Sequence, residues 1–304
     1  MSASSPTPFT PLPVPASLLG ESPFWHPQEQ ALYWIDIPGR AIQRFDPLSL
    51  DHQRWPLPDA GEPGSIAPLQ SGGLLLAARD GFWRFDTRSG ERELLLKPPY
   101  DPAGQRWNDG KADPQGRFWV GSLDDKRAPN AALYRFDGDR LERMVPDAAV
   151  SNGLAWSPDG RTMYWSDTKA HRIEAFDFDG SDGSLSRRRV FKQFPLKPAE
   201  GPLDAYGGRP DGAAMDSEGH LWVSMFEGQR LLKLAPDGTE LASIPLPVRC
   251  ATMPCFGGAD LKTLFVTTAR ENRPADELAA QPWAGRVLQM RVDVPGLPVN
   301  VVAL

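Results

Sequence analysis

The chain has 304 residues, with 33 Lys and Arg against 39 Asp and Glu, and therefore a net charge of −6. This acidic balance disfavours a nucleic-acid-binding protein, which needs a basic surface, and no apolar run approaches the ~20 residues of a membrane span. The 28 Gly and 32 Pro residues would fit disorder, but 10 Trp and 14 Phe argue against it. The composition therefore favours many tight turns between short strands.

The first fifteen residues differ in composition from the rest of the chain. They are rich in Pro, and the first basic residue of the whole chain is Arg40. A secretory signal needs a basic start and an apolar core, so we expect residues 1–15 to form a leader that is loose or lies along the surface. Two cysteines, Cys250 and Cys255, are too few for a disulfide scaffold and are expected to be reduced. We therefore expect a cytoplasmic protein with a single domain at 16–304.

A repeated unit accounts for most of this domain. Each copy has a turn, a short strand with an aromatic residue, a gap and a second strand. Six copies can be aligned, at residues 31–47, 73–90, 116–141, 160–180, 219–238 and 262–296. Apolar residues alternate with polar ones in several of these strands, and Asp-Gly or Glu-Gly turns recur between them, which is typical of β-hairpins. Repeats of this length predict an all-β, six-bladed β-propeller with a central channel.

Four of the units place a polar residue at nearly the same point of their first strand. We aligned these units on the tryptophan of the next strand, which is Trp34, Trp119, Trp165 or Trp222. Eleven or thirteen residues before that tryptophan stand, in the same order, Glu21, Asn108, Asn152 and Asp211. The first strand of each blade lines the channel, so we expect these four side chains to converge at one mouth of it.

Two carboxylates and two amide carbonyls form an all-oxygen set that suits a divalent cation. Ca²⁺, Mg²⁺ and Mn²⁺ prefer such ligands, and open sites of this kind often accept Zn²⁺ as well. A purely turn-forming role for the Asn and Asp residues is the alternative. Arg106 stands two residues before Asn108, where its guanidinium would hold ligand hydroxyls or a carbonyl oxygen, or else form a surface ion pair.

Several motifs resemble the SMP-30/gluconolactonase/regucalcin-like family. They include GESPFW at 20–25, RWNDGKADPQGRFWVGS at 106–122, SNGLAWSPDG at 151–160 and RPDGAAMDSEGHLWV at 209–223. The resemblance implies a six-bladed propeller with one divalent metal ion at the channel mouth. It also implies Glu21, Asn152 and Asp211 as metal ligands, Arg106 and Asn108 as substrate contacts, and Asp211 as the proton acceptor.

Two features depart from the family pattern. Members often carry an acidic residue that contacts substrate shortly after the Gly-Ser turn, whereas the corresponding position here is Lys126. We therefore expect Lys126 to contact the substrate and to alter the substrate preference. The segment 195–208 is longer than in the animal proteins, and we expect either a lid over the metal site or a long surface turn.

The resemblance and the predicted site together favour metal-dependent hydrolysis of sugar lactones to aldonic acids. The metal ion would polarise the lactone carbonyl, while Asp211 would take a proton from the attacking water and return it to the ring oxygen. Glucono-lactone and pentonolactones fit equally well. Rival interpretations are a metal-dependent phosphoester or organophosphate hydrolase, a non-enzymatic calcium-binding protein and an interaction scaffold. We expect a monomer or weak homo-oligomer that binds neither nucleic acid nor membrane.

Overall fold

The computed structural model describes residues 7–59, 61–200, 203 and 205–304. Its strands form six antiparallel sheets of four strands each. In five of the sheets the four strands follow one another in the chain, so each sheet is one blade and successive blades are neighbours. This arrangement confirms the predicted all-β, six-bladed propeller.

The chain first forms β1 (Thr10–Pro11), which belongs to the last blade. Blade 1 has β2 (Gly20–His26), β3 (Ala31–Asp36), β4 (Ala41–Asp46) and β5 (Asp51–Pro56). Blade 2 has β6 (Pro63–Pro68), β7 (Leu74–Ala78), β8 (Gly81–Phe85) and β9 (Arg92–Leu96). Blade 3 has β10 (Gln105–Ala112), β11 (Phe118–Asp124), β12 (Ala131–Phe136) and β13 (Leu141–Ala148).

Blade 4 has β14 (Ser151–Trp156), β15 (Thr162–Asp167), β16 (Arg172–Asp179) and β17 (Ser184–Gln193). Blade 5 has β18 (Arg209–Met215), β19 (Leu221–Phe226), β20 (Arg230–Leu234) and β21 (Glu240–Pro245). Blade 6 has β22 (Ala251–Gly257), β23 (Thr263–Thr268), then the helix α1 (Ala275–Ala280) and β24 (Leu288–Arg291). Within the described ranges no helix has the length and apolar character needed to cross a membrane.

Burial decreases from the innermost strand of a blade to its outermost strand. The innermost strands β6, β14 and β22 are buried at every residue, whereas the outermost strands β17 and β21 have no fully buried residue. Inner strands are covered on both faces by neighbouring blades, and outer strands meet solvent. The walls of the channel are therefore the most buried part of the propeller. They give a rigid support for side chains at the channel mouth.

Buried aspartates in the hairpins of blades 3 and 5 form hydrogen bonds with the tryptophans of the second strands. The carboxylate of Asp113 accepts hydrogen bonds from the indole N–H of Trp119 at 2.9 Å and from Nε of Arg117 at 2.7 Å. In blade 5, Asp216 accepts in the same way from the indole N–H of Trp222 at 3.0 Å. These contacts give the repeated tryptophans both an apolar packing site and a partner for their polar atom.

The N-terminal strand completes the sixth blade and so closes the ring. β1 pairs antiparallel with β24, and Phe9, Leu12 and Val14 around it are no more than 3% exposed. The expectation that residues 1–15 form a loose or surface-lying leader is therefore wrong for residues 9–14, because their apolar side chains pack against this blade. The prolines of this stretch are compatible with an edge strand, which needs fewer N–H donors. Residues 1–6 lie outside the described part of the chain.

The C-terminal residues lie across the opposite end of the channel from the start of the innermost strands. Asn300 donates a hydrogen bond from Nδ2 to the carbonyl oxygen of Ala112, the last residue of β10, at 3.0 Å. Val302 forms a parallel bridge with Leu69, just beyond the end of β6. The two ends of the channel therefore differ, and only the end where the innermost strands begin carries the residues predicted to be functional.

Candidate functional site

All six innermost strands change register near their beginning. In four of them the shift follows or spans the residue that the alignment singled out, namely Glu21 in β2, Asn108 in β10, Asn152 in β14 and Asp211 in β18. A bulge bends the strand and redirects a side chain. In β14 the bulge contains Gly153 with a φ of 64°, in the left-handed region that glycine adopts without strain. The structure brings all four side chains to one pocket.

A chain of hydrogen bonds connects the polar side chains of blades 3 and 4. Arg106 donates from Nη1 to Oδ1 of Asn108 at 2.8 Å, and Asn108 donates from Nδ2 to Oδ1 of Asn152 at 2.8 Å. Asn152 in turn donates from Nδ2 to the hydroxyl of Thr168 at 2.8 Å. Arg106, Asn108 and Asn152 are each less than 10% exposed. This network fixes the amide carbonyl of Asn152, whose second lone pair is free to bind a ligand.

The two predicted carboxylate ligands are held in an environment that opposes their charge. Burial, followed by the nearby Asp211 and Asp109 carboxylates, raises the pKa of Glu21 well above its ordinary range. Burial and then the Asp109 carboxylate raise the pKa of Asp211 to about 8. Carboxylates facing each other in this way are costly unless a positive charge compensates them.

The residues present fit a divalent cation. Glu21, Asn152 and Asp211 can each supply an oxygen ligand, and the buried Oδ1 of the neighbouring Asp109 has no hydrogen-bond partner in the described part of the chain. No group of three or more His, Cys, Asp or Glu among the described residues is arranged to hold a metal ion. A cation bound here would therefore need the amide oxygen of Asn152 as its third protein ligand.

The pocket around these side chains has a volume of about 190 Å³. Its apolar walls come from five residues: Leu19, Ile37, Leu123, Val150 and Phe226. Its polar lining consists of Glu21, Arg106, Asn108, Arg127, Asn152, Thr168, Lys169, Arg209 and Asp211. A cavity of this size holds several water molecules, which suits a single small ring with its hydroxyl groups.

The structure places Lys126 outside the pocket and Arg127 in its lining. The carboxylate of Asp124 accepts hydrogen bonds from the backbone N–H groups of Lys126 at 2.9 Å and Ala128 at 3.0 Å, and Arg127 adopts a φ of 60°. Both residues are exposed on this tight turn, and Arg127 is the one that reaches the mouth of the pocket. Counting along the chain identified the correct turn, but the side chain that reaches the pocket is one residue later.

Sequence analysis did not single out two other cations of the pocket, Arg209 and Lys169. Arg209 stands two residues before Asp211, as Arg106 stands two residues before Asn108. Residues two apart in a strand share a face, so this repeated spacing could have identified Arg209. Lys169 lies in the turn between β15 and β16, where no motif marks it.

The described parts of the segment 195–208 are attached to the turn that carries Lys169. Nε2 of His171 accepts hydrogen bonds from the hydroxyl of Tyr206 at 2.6 Å and from the backbone N–H of Lys197 at 3.2 Å. Nδ1 of the same ring donates to the carbonyl oxygen of Lys169 at 3.1 Å. Burial lowers the pKa of His171, which favours the neutral ring that this pattern requires. None of the described residues of this segment lines the pocket.

Three known proteins illustrate the similarity of this chain to other sequences and structures. The chain is 43% identical over 282 residues to a 6-deoxy-6-sulfogluconolactonase from Pseudomonas putida, which covers 92% of this chain and 93% of that protein. It is 35% identical over 291 residues to regucalcin from Oryctolagus cuniculus, with the same coverage. The structure of a calcium-binding protein, regucalcin, from Agrobacterium tumefaciens superimposes with a TM-score of 0.89 at 27% identity and covers 97% of each chain.

A family model also matches most of the chain. The model for the SMP-30/Gluconolactonase/LRE-like region matches residues 19–270, which include all six innermost strands and the whole pocket lining. The resemblance carried by the four sequence motifs is thereby confirmed, and the chain belongs to the SMP-30/gluconolactonase/LRE-like family.

Proposed function

We propose that this protein hydrolyses sugar lactones to aldonic acids with the help of a divalent cation. One observation carries the proposal: Glu21, Asn152 and Asp211 line the same pocket as Arg106 and Asn108. The 43% identity to a protein named as a sugar lactonase supports the same reaction class. The pocket volume suits one sugar ring, and the donors and acceptors in its lining suit hydroxyl groups.

Glu21, Asn152 and Asp211 would hold the cation through oxygen atoms. Ca²⁺, Mg²⁺, Mn²⁺ and Zn²⁺ are all compatible with this donor set. Such a cation, when bound, would polarise the lactone carbonyl and stabilise negative charge on its oxygen. Its positive charge would also offset the repulsion between Glu21 and Asp211, which raises the pKa of Glu21.

Arg106 and Asn108 would bind and orient the substrate. Nη1 of Arg106 already donates to the carbonyl oxygen of Trp107 and to Oδ1 of Asn108, which leaves the other donors of the guanidinium for a ligand oxygen. Nδ2 of Asn108 donates to the carbonyl oxygen of Ser151 and to Asn152. Asn108 would therefore act mainly by holding Arg106 and Asn152 in position, with one lone pair of Oδ1 free for a substrate hydroxyl.

Asp211 would carry the proton during hydrolysis. A water molecule attacks the carbonyl carbon and gives a proton to the carboxylate of Asp211, and the bond between the carbonyl carbon and the ring oxygen then breaks. Asp211 returns the proton to that oxygen, which leaves a hydroxyl group and the new carboxyl group of the aldonic acid. Burial raises the pKa of Asp211 in the protein without a metal ion. A bound cation would lower it again and favour the ionised carboxylate, which is the form that accepts a proton.

The direct test is an acid-release assay on neutral and charged aldonolactones after treatment with EDTA, with each of the four cations then added back. We expect activity to return with at least one cation. Asp211→Asn should reduce the turnover by about a thousandfold, since it removes the proton acceptor and a ligand charge, while the far-ultraviolet circular dichroism stays unchanged. No acid release above the spontaneous rate with any cation would contradict the proposal.

A non-enzymatic calcium-binding role is the second candidate, because one structural relative is named as a calcium-binding protein. It predicts saturable Ca²⁺ binding by calorimetry that Glu21→Gln weakens, together with no turnover of any lactone. Turnover of phosphoesters or organophosphates without turnover of lactones would instead favour a metal-dependent phosphoester or organophosphate hydrolase. The same protein preparations serve for all three measurements.

A further inference from the structure

Four cationic side chains from three consecutive blades line the pocket, against only two carboxylates. Arg106 lies deepest, and Arg127, Lys169 and Arg209 surround it from the turn after β11, the turn after β15 and the start of β18. The only acidic residues in the described lining are Glu21 and Asp211, which form the candidate cation site. The rest of the pocket is therefore strongly positive in a protein whose overall charge is −6.

The acidic groups near these cations are already engaged elsewhere. Asp125, which follows β11, binds both terminal nitrogens of Arg79 at 2.9 and 3.2 Å. Asp124 accepts from backbone N–H groups of its own turn, and Nη1 of Arg127 donates to the carbonyl oxygen of Asp124 at 3.0 Å. That contact leaves most of the donors of the Arg127 guanidinium available to a ligand.

Arg209 shares its carboxylate partner and is held in a fixed position. Its Nη2 lies 3.2 Å from Oε2 of Glu227, and Glu227 is also bound by Lys197 at 2.9 Å and Arg273 at 3.2 Å. Arg273 also binds Glu277 at 2.7 Å, and Arg249 binds Glu277 at 3.1 Å, so four cations share two carboxylates and an excess of positive charge remains. The guanidinium of Arg209 also lies over the ring of Phe226 at 5.2 Å, and Phe226 is part of the pocket wall.

The turn that carries Lys169 is fixed on its backbone while its ammonium group carries no ion pair within the described part of the chain. The N–H of Lys169 donates to Asp167 at 3.0 Å, and its carbonyl oxygen accepts from His171. The backbone of the turn is thus ordered, and the exposed ammonium group remains available to a ligand. Guanidinium and ammonium groups together form the usual environment for a sulfonate, phosphate or carboxylate.

We propose that the preferred lactone carries an anionic substituent, and that Arg127, Lys169 and Arg209 determine this preference by binding it. The substituent would be a sulfonate, phosphate or carboxylate on the part of the sugar that lies away from Glu21 and Asp211. This inference rests on the proposed lactone hydrolysis, and it assigns specificity to residues at the pocket mouth that take no part in moving the proton.

The test compares kcat/KM for neutral glucono-lactone with that for its 6-sulfo, 6-phospho and 6-carboxylate analogues. We expect at least one anionic lactone to be preferred, with a KM that rises with ionic strength because the contact is between charges. Arg127→Gln and Lys169→Gln should each reduce the preference by about tenfold, mainly through KM, since each removes a charged hydrogen bond. The three analogues distinguish the possible anions.

Lys126→Gln is the matched control, because it removes the same charge from the same turn at a residue outside the pocket. Its preference ratio should stay within about twofold of that of the unmodified protein. An equal or greater preference for the neutral lactone would overturn the inference, and so would an equal loss of preference in Lys126→Gln and Arg127→Gln.

Failure of the inference can be separated from failure of the proposed function. If no lactone is hydrolysed, the proposed reaction is wrong, and calorimetry then measures binding of the 6-sulfo and 6-phospho aldonic acids against binding of gluconate. Tighter binding of a 6-substituted acid that Arg127→Gln weakens would still support the anionic site. Equal binding of all three acids would overturn it.

Discussion

The carboxylates of Glu21 and Asp211 repel each other in the pocket, and a bound cation would reduce this repulsion. Burial raises the pKa values of both carboxylates, and the nearby Asp109 carboxylate raises them further. Asn152 adds a neutral oxygen whose orientation depends on hydrogen bonds from Asn108 and to Thr168. The side chains of Asn152 and Asp211 are short, so their positions follow closely from the strands that carry them.

These raised pKa values predict a stability that depends on pH in the protein stripped of metal ions. In the folded state Asp211 has a pKa of about 8, against an ordinary value of 3.8, so unfolding releases a proton between these values. The free energy of unfolding therefore falls as the pH rises through this window. After EDTA treatment we expect a Tm that is several degrees higher at pH 6 than at pH 8.

A divalent cation should oppose the loss of stability at high pH, because it competes with the proton for the same oxygen atoms. The increase in Tm on addition of the cation should therefore be larger at pH 8 than at pH 6, as measured by differential scanning calorimetry. The double variant Glu21→Gln, Asp211→Asn provides the control, in which both effects should disappear. An equal increase at both pH values would contradict the assignment of these carboxylates.

At the scale of single elements, hydrogen bonds in the hairpin between the two inner strands stabilise each blade. In blade 3 the carboxylate of Asp113 is fully buried and accepts hydrogen bonds from Trp119, from Nε of Arg117 and from two backbone N–H groups. The corresponding turn of blade 4 has Asp159, which accepts from the hydroxyl of Ser157 and the backbone N–H of Arg161 at the surface. Blade 3 thus has a buried aspartate at the first position of this turn, whereas blade 4 has Ser157 at that position and an exposed aspartate two residues later.

Asp113→Ala should reduce the free energy of unfolding by about 3 kcal/mol, because it leaves the buried N–H of Trp119 and Nε of Arg117 without their acceptor. Asp159→Ala, the matched change in the exposed turn, should cost about 1 kcal/mol or less. Urea denaturation followed by tryptophan fluorescence measures both values. Equal costs for the two variants would show that burial of the Asp113 hub is not what stabilises the blade.

At the scale of the whole molecule, the propeller depends on a contact between the two ends of the chain. β1 is separated by most of the sequence from β24, with which it pairs, and Leu12 beside it donates its backbone N–H to the carbonyl oxygen of Val287 at 2.8 Å. A ring closed in this way has no open gap between its first and last blades. All six innermost strands are then held at fixed positions, and the residues at the channel mouth come from four different blades.

Leu12→Ala should therefore lower the free energy of unfolding by about 3 kcal/mol, since it opens a cavity at the closure of the ring. Leu48 provides the control, because it is 94% exposed and its replacement by Ala should change the stability by less than about 0.5 kcal/mol. Thermal unfolding of both variants checks the expectation. A single shifted transition in Leu12→Ala would show that closure stabilises the whole ring, whereas an unchanged Tm would contradict this role.

The repeat made it possible to predict site residues from the sequence, because equivalent positions of different units could be compared. Glu21, Asn108, Asn152 and Asp211 could be compared only after the units had been aligned on their tryptophans. Lys126 was predicted to contact the substrate, whereas the structure has Arg127 in the pocket lining. The repeat alignment does not extend into this turn, where hydrogen bonds to Asp124 set the direction of each side chain. Arg209 was missed although it follows the same Arg-x-polar spacing as Arg106.

The sequence by itself determined the number of blades, the all-β class and the four polar residues at the starts of the innermost strands, since all of these repeat at short range along the chain. The tertiary structure decided three further properties: that residues 9–14 close the ring, that Arg127 rather than Lys126 lines the pocket, and that Lys169 and Arg209 join it there. The physical reason is the same in each case. Strand periodicity is a local property of the sequence, whereas the packing of an edge strand and the direction of a turn side chain depend on contacts with residues that are distant in the chain.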